Sequence, residues 1–423
     1  MARAPDETTA EPRSRAAAAA LDADDPLAAF RERFVLDEGD RVYVDGNSLG
    51  RLPLAARDRI ARLVDEWGER LVTAWPDWID APLRAGDHLA RACLGAAPGT
   101  VLVADSTTVN LYKLAAAVLA ARPGRPVLVT DAGEFPTDRY VLQGLGEVRL
   151  LDADPVDGPT PDDVADACAG GDVGLVCLSL VSYRSGALAD VGAITTAAHR
   201  AGALVLWDLS HAAGAVEVEL DASGADLAVG CTYKYLNGGP GSPAYLYVRR
   251  GLQEALRSPI QGWFGQREQF AMGPAYEPLP GIGRFAAGTP PILGIAAVEA
   301  GVELVEEAGI AAIQAKAAAL TTLAVELAGE RLAPLGFELG TPRDPARRGA
   351  HVALRHPQAW QICQALLARA DVVPDFRGPD VVRFGLPPLY TRFVDVWDAV
   401  DRTARLVAAG EHEPFPVERA RVT

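Results

Sequence analysis

The chain of 423 residues carries a formal net charge of −16, a balance that argues against nucleic acid as a partner. Its make-up, 49% hydrophobic and 23% charged, supplies a large globular core, and the length suggests two domains. Five cysteines with no CxxC pair fit a reduced, cytoplasmic compartment with no disulfide framework and no zinc site, and no apolar run of about 18 residues marks a membrane span.

Residues 1–25 carry acids and lack an apolar h-region, so they read as a disordered leader and neither a signal nor a transit peptide. Residues 26–60 read as an arm packing on a C-terminal domain. Short apolar runs follow at 100–105, 125–131, 173–179, 203–208, 226–233 and 244–250. Most are continuous rather than alternating, as expected of strands covered on both faces. Helical patterns lie between many of them, most clearly at 107–121 and 190–201. That order implies an α/β domain over 61–290 with a large, doubly wound, mostly parallel sheet. From residue 291 the texture changes to an Ala-rich helical stretch, a polar loop at 340–351 and short strand-like and helical pieces. Residues 291–423 read as a smaller α+β domain.

Ligands of doubly wound sheets bind beyond the carboxyl ends of the strands. After 100–105 come Ser106, Thr107 and Thr108, opening a helix whose free N–H groups suit an anion. After 125–131 come Phe135, an aromatic at a ligand-facing loop, and Asp138. Ser179 ends the next run, and Asp208 the one after, with His211 three residues on. An acid ending an apolar strand is costly unless a positive group meets it. Tyr233 and Lys234 follow the fifth run, before the glycine-rich "YLNGGPGSPA". The chain has only three lysines, Lys113, Lys234 and Lys316, and uses arginine elsewhere. A lysine among apolar and glycine residues is a usable amine nucleophile. Taken singly, most of these residues are as readily caps, turns or packing. Together they suit a phosphate, a ring to stack on, a pyridinium nitrogen and an aldehyde, which is pyridoxal 5′-phosphate.

The segment 207–248, "WDLSHAAGAVEVELDASGADLAVGCTYKYLNGGPGSPAYLYV", resembles the kynureninase family, as do "DGNSLGRLP" (45–53), "FPTD" (135–138), "GWFG" (262–265), "GTPPI" (288–292) and "RFGLPPLY" (383–390). The resemblance runs from about residue 40 to 390. It implies the pyridoxal-phosphate-dependent transferase fold type I and hydrolysis of the Cβ–Cγ bond of L-kynurenine or its 3-hydroxy form, in tryptophan catabolism and the kynurenine route toward NAD. Position by position, it implies that Lys234 forms the Schiff base and acts as the base, and that Asp208 pairs with the pyridine nitrogen with Asp138 close by. Phe135 would stack on the ring, and His211 would lie against the cofactor. Thr107, Thr108, Ser179 and Tyr233 would contact it and its phosphate, Tyr233 also being the candidate proton donor near the β-carbon. Trp263 and Thr289 would complete the phosphate site from the neighbouring subunit of a homodimer, and Arg383 would hold the substrate α-carboxylate. Trp78, Trp263 and Phe264 are plausible walls for an aryl slot. A cysteine desulfurase or selenocysteine lyase needs a mobile catalytic cysteine, and its half of the chain offers only Cys363, inside the helical "WQICQALLARA". A non-catalytic protein of the same fold is the other alternative, against which Lys234, Asp208 and Arg383 speak.

Overall fold

The computed structural model describes residues 13–36 and 39–418. An N-terminal arm contributes β1 (Val42–Tyr43). The large sheet follows with β2 (Val101–Val103), β3 (Val127–Asp131), β4 (Val148–Leu151), β5 (Val173–Ser179), β6 (Leu204–Asp208), β7 (Leu227–Gly230) and β8 (Tyr245–Val248). Their spatial order is β2-β8-β7-β6-β5-β3-β4, parallel except for β8, which runs against both neighbours.

The strands read as continuous apolar runs because both faces of the sheet are covered. Val103, Val129, Val176, Val205, Trp207 and Tyr247 enter the core on one face. Their neighbours Leu102, Leu128, Leu175, Leu206, Val229 and Leu246 enter the core on the other. Alternation along a pleated strand sends successive side chains to opposite faces, so every position is apolar. Six strands lie where the sequence places them; β4 is the addition. It is an edge strand with Arg149 at its second position and partial exposure, so it lacks the signature of a strand buried on both faces.

The second core belongs to a four-stranded antiparallel sheet, order β12-β13-β10-β9, built from β9 (Glu338–Leu339), β10 (His351–Arg355), β12 (Asp375–Arg377) and β13 (Val381–Gly385). Between β10 and β12, β11 (Val372–Val373) pairs in parallel with β1, which fastens the arm to this domain. The expected boundary at 291 moves. The helix Ile292–Ala308 gives Ile295, Val298, Val302 and Val305 to the large-domain core, whereas the second core takes Ala18, Val42 and Val44 from the N-terminal segment and resumes at Leu320, inside the helix Ile310–Leu327. The Ala-rich stretch is thus two helices, broken at Gly309, whose φ of 78° suits glycine. The segment Ile310–Leu335 is long and apolar enough to cross a bilayer, a stretch the sequence reading passed over. Its Ile313, Leu320, Leu323 and Leu327 are buried in the two cores, the position of an internal helix.

The leader expected over 1–25 is corrected in its second half; residues 1–12 lie outside the described residues. Arg15–Ala23 is a helix, N-capped by Ser14, whose Oγ accepts from the amide of Ala17 at 3.2 Å. It lies against the helix Phe393–Ala408 and caps it: Asp22 accepts from the amides of Phe393 at 2.6 Å and Val394 at 3.0 Å. A helix start leaves such donors unsatisfied, and supplying an acceptor is worth about 1 kcal/mol. The nearby Arg15–Asp398 pair has its arginine 56% exposed and contributes less. Asp22→Ala is therefore expected to lower stability by about 1 kcal/mol, read as the urea midpoint of the transition that unfolds this domain, while Arg15→Ala changes it by a few tenths.

Candidate active site

The carboxyl ends of β2, β3, β5, β6 and β7 open on a cavity of about 330 Å³ lined by Thr107, Thr108, Phe135, Asp138, Ser179, Tyr183, Asp208, His211, Tyr233 and Lys234, among others. Nine of the expected site residues are therefore brought together. Ser106 caps the helix Thr107–Ala121 by accepting from the amide of Val109. Thr107 and Thr108 occupy the first helical turn, so their hydroxyls and the helix N-terminus face the same space. The preceding Asp105 ion-pairs at 2.7 Å with Lys113, which is wholly buried and also donates to the carbonyl of Phe285 at 2.8 Å. Lys113 thereby offsets an acid beside the anion site, a role the sequence reading did not assign.

Asp208 ends β6, in register with Ser179 of β5 and Val229 of β7. It is nearly buried and accepts from the amide of Ser210 at 2.7 Å. Asp138 lies in the first turn of the helix Pro136–Leu145 and is buried, with one carboxyl oxygen lacking a hydrogen-bond partner. Burial, then repulsion from Asp208 and Glu134, holds the Asp138 carboxyl well above the usual carboxylate range, and Lys234 offsets this in part. Acids held together out of water call for a cation between them. Phe135 is 37% exposed and meets the ring of Tyr183 edge-on, leaving a face toward the cavity.

Strand β7 stops at Gly230, shorter than the run 226–233, and Lys234 stands four residues beyond it in a bend. The three lysines divide sharply. Lys113 is paired with Asp105, and Lys316 with Asp25 at 2.6 Å. Lys234 instead has its Nζ 2.9 Å from Nε2 of His211. That imidazole is held well below its ordinary range by burial first and by the charge of Lys234 next, so it is neutral and does not compete as an ion. The phenol of Tyr233 is pushed up by Cys231 first and by burial next, so it keeps its proton.

Two further residues, unassigned by the sequence reading, stand behind the lining of the cavity, against Ser179 and His211. Glu134, nearly buried, accepts from both the amide and the hydroxyl of Ser179. Ser179 therefore spends its proton on a protein carboxylate. His351 of β10 enters from the other domain, wholly buried, its ring 5.2 Å from that of His211 and neither nitrogen hydrogen-bonded.

Arg383 does not line the cavity. It is wholly buried on β13, ion-paired with Asp375, donating to the carbonyl of Tyr183 and, at 3.3 Å, to Ser48. With its amide oxygen turned toward the guanidinium, Asn47 accepts from Nε at 2.7 Å. Arg383 thus reaches the site through Tyr183, a lining residue. Trp263 and Thr289 lie outside the cavity, exposed on the surface. The aromatic wall is a separate ladder in which Trp75 meets Trp78 and Phe264, and Phe264 meets Trp263. Cys363 is buried in the helix Ala359–Arg369, its thiol 3.7 Å from the carbonyl of Asp375.

Buried acids with an orphaned oxygen, a lysine with no acid partner, a free aromatic face and a helix N-terminus fit pyridoxal phosphate group by group. Fold and site together define a pyridoxal-phosphate-dependent enzyme of fold type I. Solved structures with this fold include a cysteine desulfurase from Thermococcus onnurineus NA1 (TM-score 0.74, 20% identity, covering 87% of this chain and 95% of that one). Another is a cysteine desulfurase from Escherichia coli (TM-score 0.73, 19% identity, 91% and 99%). At such identities the likeness is one of fold. The model of the kynureninase C-terminal domain matches residues 313–403. Kynureninase from Burkholderia pseudomallei (strain 1106a) is 46% identical over 403 residues, 92% of this chain and 94% of that one. Kynureninase from Pseudomonas fluorescens is 44% identical over 395 residues, 90% and 92%. The chain belongs to the kynureninase family.

The neutral histidines set a pH dependence. Burial first, then Arg383, Lys234 and Arg377, hold His351 well below its ordinary range. The unfolded chain binds a proton at this residue below about pH 6.5 that the folded protein refuses, so the residue costs stability as pH falls through that range. His351→Gln is expected to flatten the loss of stability between pH 7 and 5 by up to about 1.4 kcal/mol per pH unit, measured as urea midpoints across that range. An unchanged slope would mean that His351 takes up its proton in the fold.

Proposed function

We propose that this protein hydrolyses the Cβ–Cγ bond of L-kynurenine or 3-hydroxy-L-kynurenine, releasing L-alanine and anthranilate or 3-hydroxyanthranilate, in cytoplasmic tryptophan degradation. The observation that carries the reading is Lys234. In a chain of this family, the one lysine without a carboxylate partner enters the cavity beside two buried acids.

The bound cofactor supplies an electron sink for charge developing on the substrate carbon. The protein's residues do the rest. Thr107 and Thr108 hold the phosphate at the helix N-terminus. Asp208, with Asp138 behind it, favours a protonated ring nitrogen. Phe135 would offer its ring to that of the cofactor, and Ser179 and His211 also line the cavity that would hold it. Lys234 removes the α-proton through Nζ, while neutral His211 steadies that nitrogen without adding a charge. Tyr233, still protonated, donates near the β-carbon. Arg383 would receive the substrate carboxylate by exchanging the Tyr183 carbonyl on Nη1 and the Ser48 hydroxyl on Nη2 for carboxylate oxygens, Asp375 remaining paired with Nη2.

The active form is read as a homodimer. Trp263, whose ring meets that of exposed Phe270, and Thr289 lie on the surface, where a second copy would bring them to its partner's phosphate site. A cysteine desulfurase reading has little support, since Cys363 is fixed inside a helix core.

Purified protein supplied with pyridoxal phosphate is expected to release alanine and an anthranilate in equal amounts from kynurenine or 3-hydroxykynurenine. Lys234→Ala is expected to lose both the turnover, by at least about 1,000-fold, and the visible band of the lysine-bound cofactor. Release of neither anthranilate by a cofactor-loaded wild type contradicts the reading.

A further inference from the structure

The hydrogen bonds of Glu134 belong to no role described so far. Oε1 accepts from the hydroxyl of Ser179 at 2.5 Å and from the amide of Phe135 at 2.8 Å. Oε2 accepts from the amide of Ser179 at 2.6 Å. All three contacts are donated to Glu134, the pattern of an ionised carboxylate. The two residues it grips are the aromatic at one wall of the cofactor cavity and the serine at the end of β5, in register with Asp208. Glu134 stands behind these two residues and itself lines a second cavity, of about 330 Å³, that shares Ser179 with the first.

We infer that Glu134 is a third carboxylate of the cofactor site, a positioning residue that sets Phe135 and Ser179 against the ring and adds its negative charge to those of Asp138 and Asp208. The inference rests on the cofactor reading above and extends it. A serine whose proton is committed to Glu134 presents its oxygen to the cavity as an acceptor only. That recasts Ser179 from a donor to the ligand into part of an electronegative wall. The groups facing Glu134 are Asp138 in the first turn of the helix Pro136–Leu145, Asp208 at the end of β6 and Cys177 on β5, whose thiol burial first and these acids next push up. Burial first and Asp208 among the rest push the Glu134 carboxyl up to about 7, against the pull of its three hydrogen bonds. Positive charge gained on cofactor binding returns it to the anion.

The test compares wild type, Glu134→Gln and Glu134→Asp as cofactor-loaded proteins. It reads the pH titration of the visible band, the cofactor dissociation constant by fluorescence, and the melting temperature of each protein without cofactor. Gln removes the charge and turns an amide donor toward a backbone N–H. The band's titration midpoint is expected to fall by about one unit, because a lost anion disfavours nearby protonation, and cofactor affinity to fall about tenfold. Asp keeps the charge but is too short to grip both partners, so its midpoint stays within about 0.3 units of wild type while affinity still weakens. Should the Gln protein not load, the Asp protein decides: affinity weakened at an unmoved midpoint supports the assignment. Wild-type midpoint and affinity in a loaded Gln protein overturn it, as does an Asp protein that binds cofactor as tightly as wild type. Absence of the band from wild type itself would instead overturn the cofactor reading on which the inference rests.

Discussion

A carboxylate at the end of a strand buried on both faces is the constraint from which the rest of the site follows. Asp208 closes β6 between two other parallel strands, where water cannot solvate it freely. The protein adds to the problem by placing Asp138 and Glu134 within reach of its charge. Isolated buried charges cost several kcal/mol each unless paired. Burial first and the neighbouring acids next push the Asp138 carboxyl well above its ordinary range and that of Glu134 up to about 7, a crowding that a cation would relieve. The pocket is therefore built for a positive ring nitrogen, and the absence of a carboxylate on Lys234 is the other half of the same arrangement. A lysine paired as Lys113 and Lys316 are would be a structural ion; one that meets a neutral imidazole keeps its amine for chemistry.

The second domain enters through groups whose charge is already managed. Arg383 is fully buried yet held by Asp375, a backbone carbonyl, a hydroxyl and an amide. Asp45 stands in the same network, its carboxyl pushed up to about 6 by burial first and by Asp375 next. Such a network fixes the guanidinium in place, so a carboxylate that bound there would exchange partners instead of ordering a free side chain. Burial first, and the cationic nitrogens of the same surroundings next, keep His211 and His351 neutral.

Much of this was legible in the sequence because coverage on both faces leaves an unmistakable run of apolar residues, and the ligand edge of such a sheet is fixed by topology. Thr107, Phe135, Asp138, Ser179, Asp208, His211, Tyr233 and Lys234 each end or follow a strand, so their meeting could be anticipated. Glu134 also follows a strand, but its partner Ser179 is 45 residues away and nothing local marks the contact. His351 reaches the site from the second domain. Strand β4 escaped because a half-exposed edge has no continuous apolar run. The helix Arg15–Ala23 escaped because its reason for folding, the start of the helix Phe393–Ala408, lies 371 residues away. Arg383 was assigned from a motif, but the partners that already hold it are visible only in three dimensions.

The central claim is that Lys234, and neither of the other two lysines, carries the cofactor. Borohydride reduction of the cofactor-loaded protein, followed by peptide mass mapping, addresses it directly. The account predicts a phosphopyridoxyl group on the peptide containing Lys234 and unmodified Lys113 and Lys316. Modification of Lys113 or Lys316 in its place, or of none of the three, would contradict it.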